Sequence, residues 1–307
     1  MSAATWTTAD IPDLTGRTAV VTGPSLGGIG YVTALELARA GADVVLAGRS
    51  QAKLDASAQA IRSEVPEAAL TTTILDLTSF DAVRRAAGDL ETRGPIDLLV
   101  NNAGVMWTPW ATTADGLELQ IGTNHYGPFL LTGLLLRQLE AAPAGRVVTV
   151  SSIGHTMARK APLDDPRIKP ASYSRWTAYF GSKLANLLFT YELDRRLTAA
   201  GSSVTALAAH PGFAHTHLVA NGRGFGPLSR VFNASYGLIS QDAAGGARPT
   251  LMAATADLPG GTYVGPGGPK EIVGAPTVVR STRLSHDAEA AGRLWDLSQK
   301  VTGRSWL

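Results

Sequence analysis

A tyrosine and a lysine stand four residues apart at Tyr179 and Lys183. On a helix this spacing puts both side chains on one face, where they can point into one cleft. A free phenol has a pKa of about 10, so a tyrosine that exchanges protons at neutral pH needs a positive charge nearby. The pair therefore predicts acid–base chemistry. A packed tyrosine beside a lysine that reaches solvent would show the same spacing, so other motifs must decide.

A glycine-rich segment, Thr22-Gly23-Pro24-Ser25-Leu26-Gly27-Gly28-Ile29-Gly30, lies between the first predicted strand and the first predicted helix. Backbone N–H groups at the start of a helix can bind a pyrophosphate, and glycines allow its close approach. A tight turn that binds no ligand would have the same composition. The segment is thus a candidate dinucleotide site that needs support from the rest of the chain.

Short β-branched runs alternate with amphipathic segments of helical length along most of the sequence. The predicted strands are Thr18 to Thr22, Asp43 to Ala47, Leu70 to Leu75, Ile96 to Asn101, Arg146 to Val150 and Ser203 to Ala209. The predicted helices are Ile29 to Arg39, Gln51 to Val65, Ser79 to Arg93, Gly116 to Ala141, Trp176 to Ala200 and Ser285 to Thr302, the last capped by Ser285. This alternation predicts a doubly wound parallel sheet between two helical layers, an α/β Rossmann-type fold in a single domain.

Composition excludes several classes of protein. The 307 residues are 45% hydrophobic and carry a formal charge of +2, without a basic stripe that would bind nucleic acid. Cysteine is absent, which excludes disulfides and thiolate zinc sites. We find neither a secretion signal nor an apolar run long enough to cross a bilayer, so we expect a cytoplasmic protein without a membrane partner.

With Asn101-Asn102-Ala103-Gly104, Asn124, Ser151-Ser152 and Tyr179-Phe180-Gly181-Ser182-Lys183, the glycine loop resembles the short-chain dehydrogenase/reductase family. The resemblance covers about residues 15 to 217. Thr123-Asn124-His125-Tyr126-Gly127-Pro128-Phe129, Ser182-Lys183-Leu184-Ala185-Asn186 and His210-Pro211-Gly212 with Thr216 are similar to the branch of retinol dehydrogenases and WW-domain oxidoreductases. The glycine loop has one residue more than the family pattern, so we expect it to bulge.

The resemblance implies a hydride-transferring enzyme and gives roles to individual residues. Tyr179 would be the general acid/base, Lys183 would bind the nicotinamide ribose and pass protons through Asn124 and water, and Ser152 would hold the substrate oxygen. Strand alternation keeps Ser151 and Ser152 from both facing the cleft. The implied cofactor contacts are Gly23, Ser25, Gly28, Ile29, Gly30, Asp76, Leu77, Asn102, Ala103, Gly104, Tyr179, Lys183, Pro211 and Gly212.

The choice of nicotinamide cofactor depends on Arg49. About twenty residues past the glycine loop, sheets that bind NAD place an acidic residue on the ribose 2′-hydroxyl. This chain has Gly48-Arg49-Ser50 there, and a guanidinium can pair with a 2′-phosphate instead. The sequence favours NADP(H) over NAD(H), unless Arg49 is simply solvated at the strand end.

Residues from about 213 to 261 are rich in Gly, Ala and Pro, and we expect them to form a cover over the site, followed by a C-terminal strand and helix in 262–307. Aromatic residues favour a hydrophobic ketone, aldehyde or alcohol as substrate. They are Trp107, Trp110, Phe213, Phe225, Phe232 and Tyr236, with Pro109 between the tryptophans. Ordinary packing of the cover would use the same residues.

Other functions stay open at this point. An NADP(H)-binding sensor without turnover would be expected to lack one of the four catalytic residues, and all are present. A nucleotide-sugar epimerase or dehydratase usually has a larger C-terminal region. We expect no metal site, since His215 and His217 have no third ligand in evidence, and Asp164-Asp165 before Pro166 indicates a turn. The family resemblance implies homodimers or homotetramers.

Overall fold

A computed structural model of the chain describes residues 5–168, 171–213 and 241–307. Its sheet has eight strands in the order β3-β2-β1-β4-β5-β6-β7-β8. Strands β1 to β7 run parallel, and β8 pairs antiparallel with β7. The strands are β1 Thr18–Thr22, β2 Asp43–Gly48, β3 Leu70–Ile74, β4 Leu98–Asn101, β5 Arg146–Val150, β6 Thr205–Ala209, β7 Tyr263–Pro266 and β8 Pro276–Val278.

Helices cover both faces of this sheet because successive residues of its strands point to opposite sides. The helices are α1 Ile29–Arg39, α2 Gln51–Glu64, α3 Phe80–Glu91, α4 Leu119–Ile121, α5 Gly127–Ala141, α6 Arg175–Ala199, α7 Ala243–Thr255 and α8 Ala288–Thr302. Val20 faces a core that includes residues of α3, α5, α6 and α8, whereas Ala19 and Val21 face a core with α1, α2 and α7. The predicted Rossmann-type three-layer architecture is therefore confirmed.

The strand order reverses at β1. This strand pairs with β2 on one side and with β4 on the other, so the chain adds β2 and β3 on one side of β1 and then crosses to add β4 on the other. Ligands of such sheets bind at this switch, beyond the carboxyl ends of the strands. The glycine-rich loop after β1 and Asn102-Ala103-Gly104 after β4 therefore face each other there.

Two sequence predictions need correction. Part of the predicted cover, α7, packs against α1 and the sheet with Leu251 fully buried, so it belongs to a structural layer rather than to a cover. Residues 214–240 of that cover lie outside the described residues. The C-terminal helix is capped by the Asp287 carboxylate, which accepts from Ala290 N–H at 3.0 Å; the predicted cap, Ser285, is buried and bonds Thr282 O instead.

Within the described ranges, helices that are both long and apolar enough to cross a membrane are absent.

Candidate active site

Tyr179 and Lys183 lie on α6, and both side chains are buried. Lys183 Nζ is 6.0 Å from the centre of the Tyr179 ring. The ammonium donates a hydrogen bond to the carbonyl of Val150, the last residue of β5, at 3.0 Å. Burial lowers the pKa of Lys183 to about 8, because the charged form loses its hydration. The lysine can therefore change its charge in the pH range in which enzymes work.

Asn124 lies in a π-helical turn, Gly122–Tyr126, that joins α4 to α5. Its amide oxygen accepts from Val105 N–H at 2.8 Å, and its Nδ2 donates to Val105 O and to Ser182 Oγ, both at 2.9 Å. Ser182 Oγ in turn donates to Tyr179 O at 2.8 Å. Turns of this kind occur often at functional sites. Here the turn brings Asn124 into contact with the helix of Tyr179 and Lys183.

Gly104 packs closely against Asn124 and Lys183. A Cβ atom on Gly104 would stand 3.0 Å from Asn124 Oδ1 and 3.6 Å from Lys183 Nζ. The strand end after β4 thus lies directly against both polar groups, and any side chain at position 104 would crowd them. Glycine at this position is what keeps the side of Lys183 that faces the strand end free of a side chain.

The two adjacent serines at the end of β5 have different environments. Ser151 is buried, and its hydroxyl donates to Lys183 O at 2.8 Å. Ser152 is partly exposed and begins a 3-10 turn, where its Oγ accepts from Gly154 N–H at 3.0 Å and keeps its own hydrogen for another partner. Gly154 packs against Phe180, the residue after Tyr179. The role of Ser152 in binding a substrate oxygen stays a prediction.

The glycine-rich loop contains a tight turn whose residues Ser25, Leu26 and Gly27 are exposed. Gly28 N–H donates to Ser25 O at 3.0 Å, and Gly27 has a left-handed φ of 71° that favours glycine. The extra residue is thereby accommodated before α1. Gly28 is the N-cap of α1 and offers no side chain, so N–H groups of the first turn are left for a ligand.

Thr22 joins the loop to the strand end after β4. Its Oγ1 accepts from the backbone N–H groups of Asn102 and Ala103 at 3.0 and 2.9 Å, and Asn102 Nδ2 donates to Thr22 O at 2.8 Å. A side chain on Gly23 would meet Ala103, and one on Gly30 would collide with Asn102. The predicted cofactor residues Gly23, Gly30, Asn102 and Ala103 are therefore in close contact, whereas Ile29 turns into the core.

Three other predicted cofactor residues stand at the ends of β2 and β3. Arg49 is exposed directly after β2, and we see no hydrogen bond or ion pair between it and any described residue. Asp76 Oδ1 accepts from the backbone N–H and hydroxyl of Thr78 at 2.9 and 2.7 Å, so it stabilises a turn. Leu77 is buried against Gly127. A Cβ atom on Gly48 would stand 3.9 Å from Pro24 Cδ, so Arg49 follows a strand end that lies next to the glycine-rich loop.

Aromatic side chains border α6, the helix that carries Tyr179 and Lys183. The ring centres of Trp107 and Trp176 are 4.1 Å apart, and that of Trp107 is 6.5 Å from Tyr179. Trp110 packs instead against Tyr173 at 5.3 Å, and Pro109 is exposed. Phe213 N–H donates to Ile272 O at 2.9 Å. The other predicted pocket residues, Phe225, Phe232 and Tyr236, fall outside the described residues, as do His215 and His217.

Several residues of this site were not identified from the sequence. Ser182 connects Asn124 to Tyr179 by hydrogen bonds. Gln120 Oε1 accepts a hydrogen bond from the backbone N–H of Trp107 at 2.8 Å. His155 donates from Nδ1 to Ser152 O at 2.7 Å. The only sequence signal for them is their closeness to a motif residue.

The parts of the chain that the structure describes contain no cluster of three metal-binding side chains.

The short-chain dehydrogenase family model matches residues 17–163. Retinol dehydrogenase 13 from Homo sapiens is 39% identical over 94% of this chain and 85% of its own length, and retinol dehydrogenase 12 from Homo sapiens is 37% identical over 95% and 88%. A crystal structure of a protein from Mycobacterium paratuberculosis is 44% identical, with a TM-score of 0.82 over 99% of this chain and 100% of that one.

With this fold and these relatives, the chain belongs to the short-chain dehydrogenase/reductase family of oxidoreductases. Within the family it is similar to the retinol dehydrogenases, as the sequence motifs predicted.

Proposed function

We propose that this oxidoreductase uses NADP(H) and moves a hydride between nicotinamide and a hydrophobic ketone, aldehyde or secondary alcohol, with Tyr179 as the general acid/base. The observation that carries the proposal is the buried ammonium of Lys183. An ammonium has three N–H donors, and Val150 O is its one acceptor among the described residues. Two donors remain for hydroxyl groups of a ligand that enters beside Gly104.

The residues around the sheet switch fit a dinucleotide. N–H groups at the start of α1 suit a pyrophosphate, and Gly23 and Gly30 let the loop pack directly against Ala103 and Asn102, which the family resemblance also assigns to the cofactor. Lys183 would bind the ribose next to the nicotinamide. When bound, the nicotinamide ring supplies or accepts the hydride.

The chain's own residues would handle the proton. In carbonyl reduction, the carbonyl carbon receives the hydride while Tyr179 Oη gives its proton to the carbonyl oxygen, which yields the alcohol. Ser152 Oγ has a free hydrogen with which to bind that oxygen as charge develops on it. Positive charge on Lys183, 6.0 Å from the tyrosine ring centre, stabilises the phenolate that is left. Alcohol oxidation would reverse each of these steps.

Arg49 supports the choice of NADP(H). The guanidinium stands exposed at the carboxyl end of β2, beside the glycine-rich loop, and makes no ion pair with the described residues that a 2′-phosphate would have to break. A bidentate contact between guanidinium and phosphate would favour the phosphorylated cofactor.

The apolar substrate class is supported by two observations. The indoles of Trp107 and Trp176 form a wall beside Tyr179. The related proteins are named for retinol, an apolar alcohol. Cytoplasmic localisation and assembly into dimers or tetramers stay predictions.

The test is a panel of aryl, polyene and aliphatic carbonyl compounds with NADPH, followed by nicotinamide absorbance. Tyr179→Phe should reduce turnover by at least about a hundredfold, the usual contribution of general acid–base catalysis, and should keep NADPH binding. Tyr191→Phe, a matched loss of a phenol hydroxyl on the same helix, should retain activity. Turnover that survives in Tyr179→Phe would refute the mechanism.

A further inference from the structure

His210, from the His210-Pro211-Gly212 motif, and Glu271, which lies in no motif, hold the loop after β6. His210 is fully buried, and its Nδ1 accepts a hydrogen bond from Gly212 N–H at 3.2 Å. Nδ1 is therefore unprotonated, and Nε2 carries the ring hydrogen, which it donates to Glu271 Oε2 at 3.0 Å. Glu271 thus fixes both the tautomer and the orientation of the imidazole.

Glu271 itself stands in an unfavourable backbone conformation. Lys270 and Glu271 have left-handed φ angles of 52° and 56°, which residues other than glycine rarely adopt. Two such residues in succession persist where the surroundings hold them, and such outliers concentrate at functional sites. The turn lies between β7 and β8, and its conformation directs the Glu271 carboxylate toward His210.

The same turn contacts the loop after β6 through its backbone. Phe213 N–H donates to Ile272 O at 2.9 Å, and a side chain on Gly212 would meet the carbonyl oxygens of Glu271 and Ile272. Gly212 has a left-handed φ of 64°, so both conformation and space require glycine there. Pro211 and Gly212 are thus held on one side by His210 and on the other by the turn.

Neighbouring residues leave the imidazole little freedom. A side chain on Gly265 of β7 would collide with the His210 ring, so the ring lies directly on the strand backbone. The ring centre of Tyr263 is 5.1 Å away on another side. Because the ring is enclosed, loss of its carboxylate partner would leave a buried N–H group without an acceptor.

We propose that Glu271 is a positioning residue which, through His210, holds Pro211-Gly212-Phe213 in the conformation that receives the nicotinamide half of the cofactor. The choice of ligand rests on the proposed function, whereas the hold on the loop does not. The Glu271 side chain is 33% exposed, so its replacement leaves no cavity in the core. Glu271 lies 61 residues from His210 in the chain.

The experiment compares Glu271→Met, which removes the acceptor, with Glu271→Gln, whose amide oxygen still accepts from His210 Nε2. Lys270→Met is the matched control, since it changes the charge of the same left-handed turn without touching His210. Amide hydrogen exchange is measured in the cofactor-free protein on a peptide that covers 205–213, and NADPH affinity is measured by nucleotide fluorescence.

We expect Glu271→Met to speed exchange at Gly212 and Phe213 about tenfold and to raise the Kd for NADPH about tenfold, as for the loss of one hydrogen bond. Glu271→Gln and Lys270→Met should stay within about twofold of the wild type on both measures. Unchanged exchange in Glu271→Met, or an equal increase in all three variants, would overturn the proposal. If the wild type bound no NADPH, the proposed function would fail, and the exchange data would still decide the role of Glu271.

Discussion

The ammonium of Lys183 donates to the carbonyl oxygen of Val150 at 3.0 Å, and Asn186 Nδ2 donates to the same oxygen at 3.1 Å. The carbonyl therefore keeps a partner if the lysine is removed. The buried ammonium lowers the stability of the folded protein, since burial lowers the pKa of Lys183 from 10.5 to about 8. Below pH 8 it is charged in the folded and unfolded states alike, and the folded protein bears the full cost of the buried charge.

Lys183→Met should stabilise the protein at pH 7 and abolish turnover. The pKa shift corresponds to roughly 3 kcal/mol, which sets the upper bound of the gain. Between pH 8 and 10.5 the unfolded chain binds a proton that the folded protein does not, so the unfolding free energy of the wild type rises with pH. The stability advantage of Lys183→Met over the wild type should therefore shrink in this range. Urea unfolding at pH 7 and pH 10 measures both effects.

The exposed Lys53 gives the control, because Lys53→Met changes the net charge by the same amount without removing a buried ammonium. A Lys183→Met variant that is less stable than the wild type at pH 7 would contradict this account of the burial cost.

Arg49→Asp should reverse the cofactor preference. The new carboxylate repels a 2′-phosphate and can accept from a 2′-hydroxyl, so the ratio of kcat/KM for NADPH over NADH should fall by at least about a hundredfold, two tenfold steps of about 1.4 kcal/mol each. Arg85→Asp on α3, also exposed, makes the same change in net charge away from the sheet switch and should leave the ratio intact. An unchanged ratio in Arg49→Asp would show that Arg49 does not select the cofactor.

Ser182→Ala should slow turnover through Asn124. The serine hydroxyl accepts from Asn124 Nδ2 at 2.9 Å and donates to Tyr179 O, so its loss leaves a buried N–H of Asn124 without that partner. We expect kcat to fall about tenfold while the KM for NADPH changes less than about threefold, because the loss of one hydrogen bond is worth about 1 kcal/mol. Thr190→Val, which removes a buried hydroxyl about two turns further along α6, should leave kcat unchanged.

Local signals in the sequence predicted much of the fold. The bounds of β1, α1 and β5 agree with the prediction, since β-branched runs and flanking glycines are read within a few residues. The segment 116–141 was predicted as one helix, yet it contains the π-helical turn around Asn124. That turn depends on contacts with Val105 and Ser182, which are distant in sequence.

The site also combines residues that a local sequence pattern identifies with residues that depend on contacts distant in sequence. The motif residues could be recognised because each lies within a short sequence pattern at a strand end or on a helix. The support of the loop after β6 could not, because Glu271 reaches His210 across 61 residues through a turn of unusual backbone conformation. The helix α7 was misplaced for a related reason: its composition suits a cover as well as a packing layer, and only its contact with α1 decides between them.

The folded protein should lose stability in acid partly through His125, which follows Asn124. Burial lowers the pKa of His125 to about 3, so the folded state keeps the imidazole neutral while the unfolded chain takes up a proton below pH 6.5. Above pH 6.5 the proton uptake of His125 takes nothing from the unfolding free energy, and the unfolding free energy falls progressively as pH falls toward 3. This loss amounts to about 1.4 kcal/mol per pH unit within that window.

His125→Gln tests this directly. Ser298 Oγ donates to Leu294 O, so it accepts from His125 Nε2 at 2.8 Å, and a glutamine amide can take over that donor role without titrating. Between pH 6.5 and pH 4 the variant should lose roughly 3 kcal/mol less of its unfolding free energy than the wild type, measured by urea titration. His286→Gln, at an exposed position, should follow the wild-type curve. Parallel curves for His125→Gln and the wild type would mean that His125 is protonated in the folded protein, contrary to its burial.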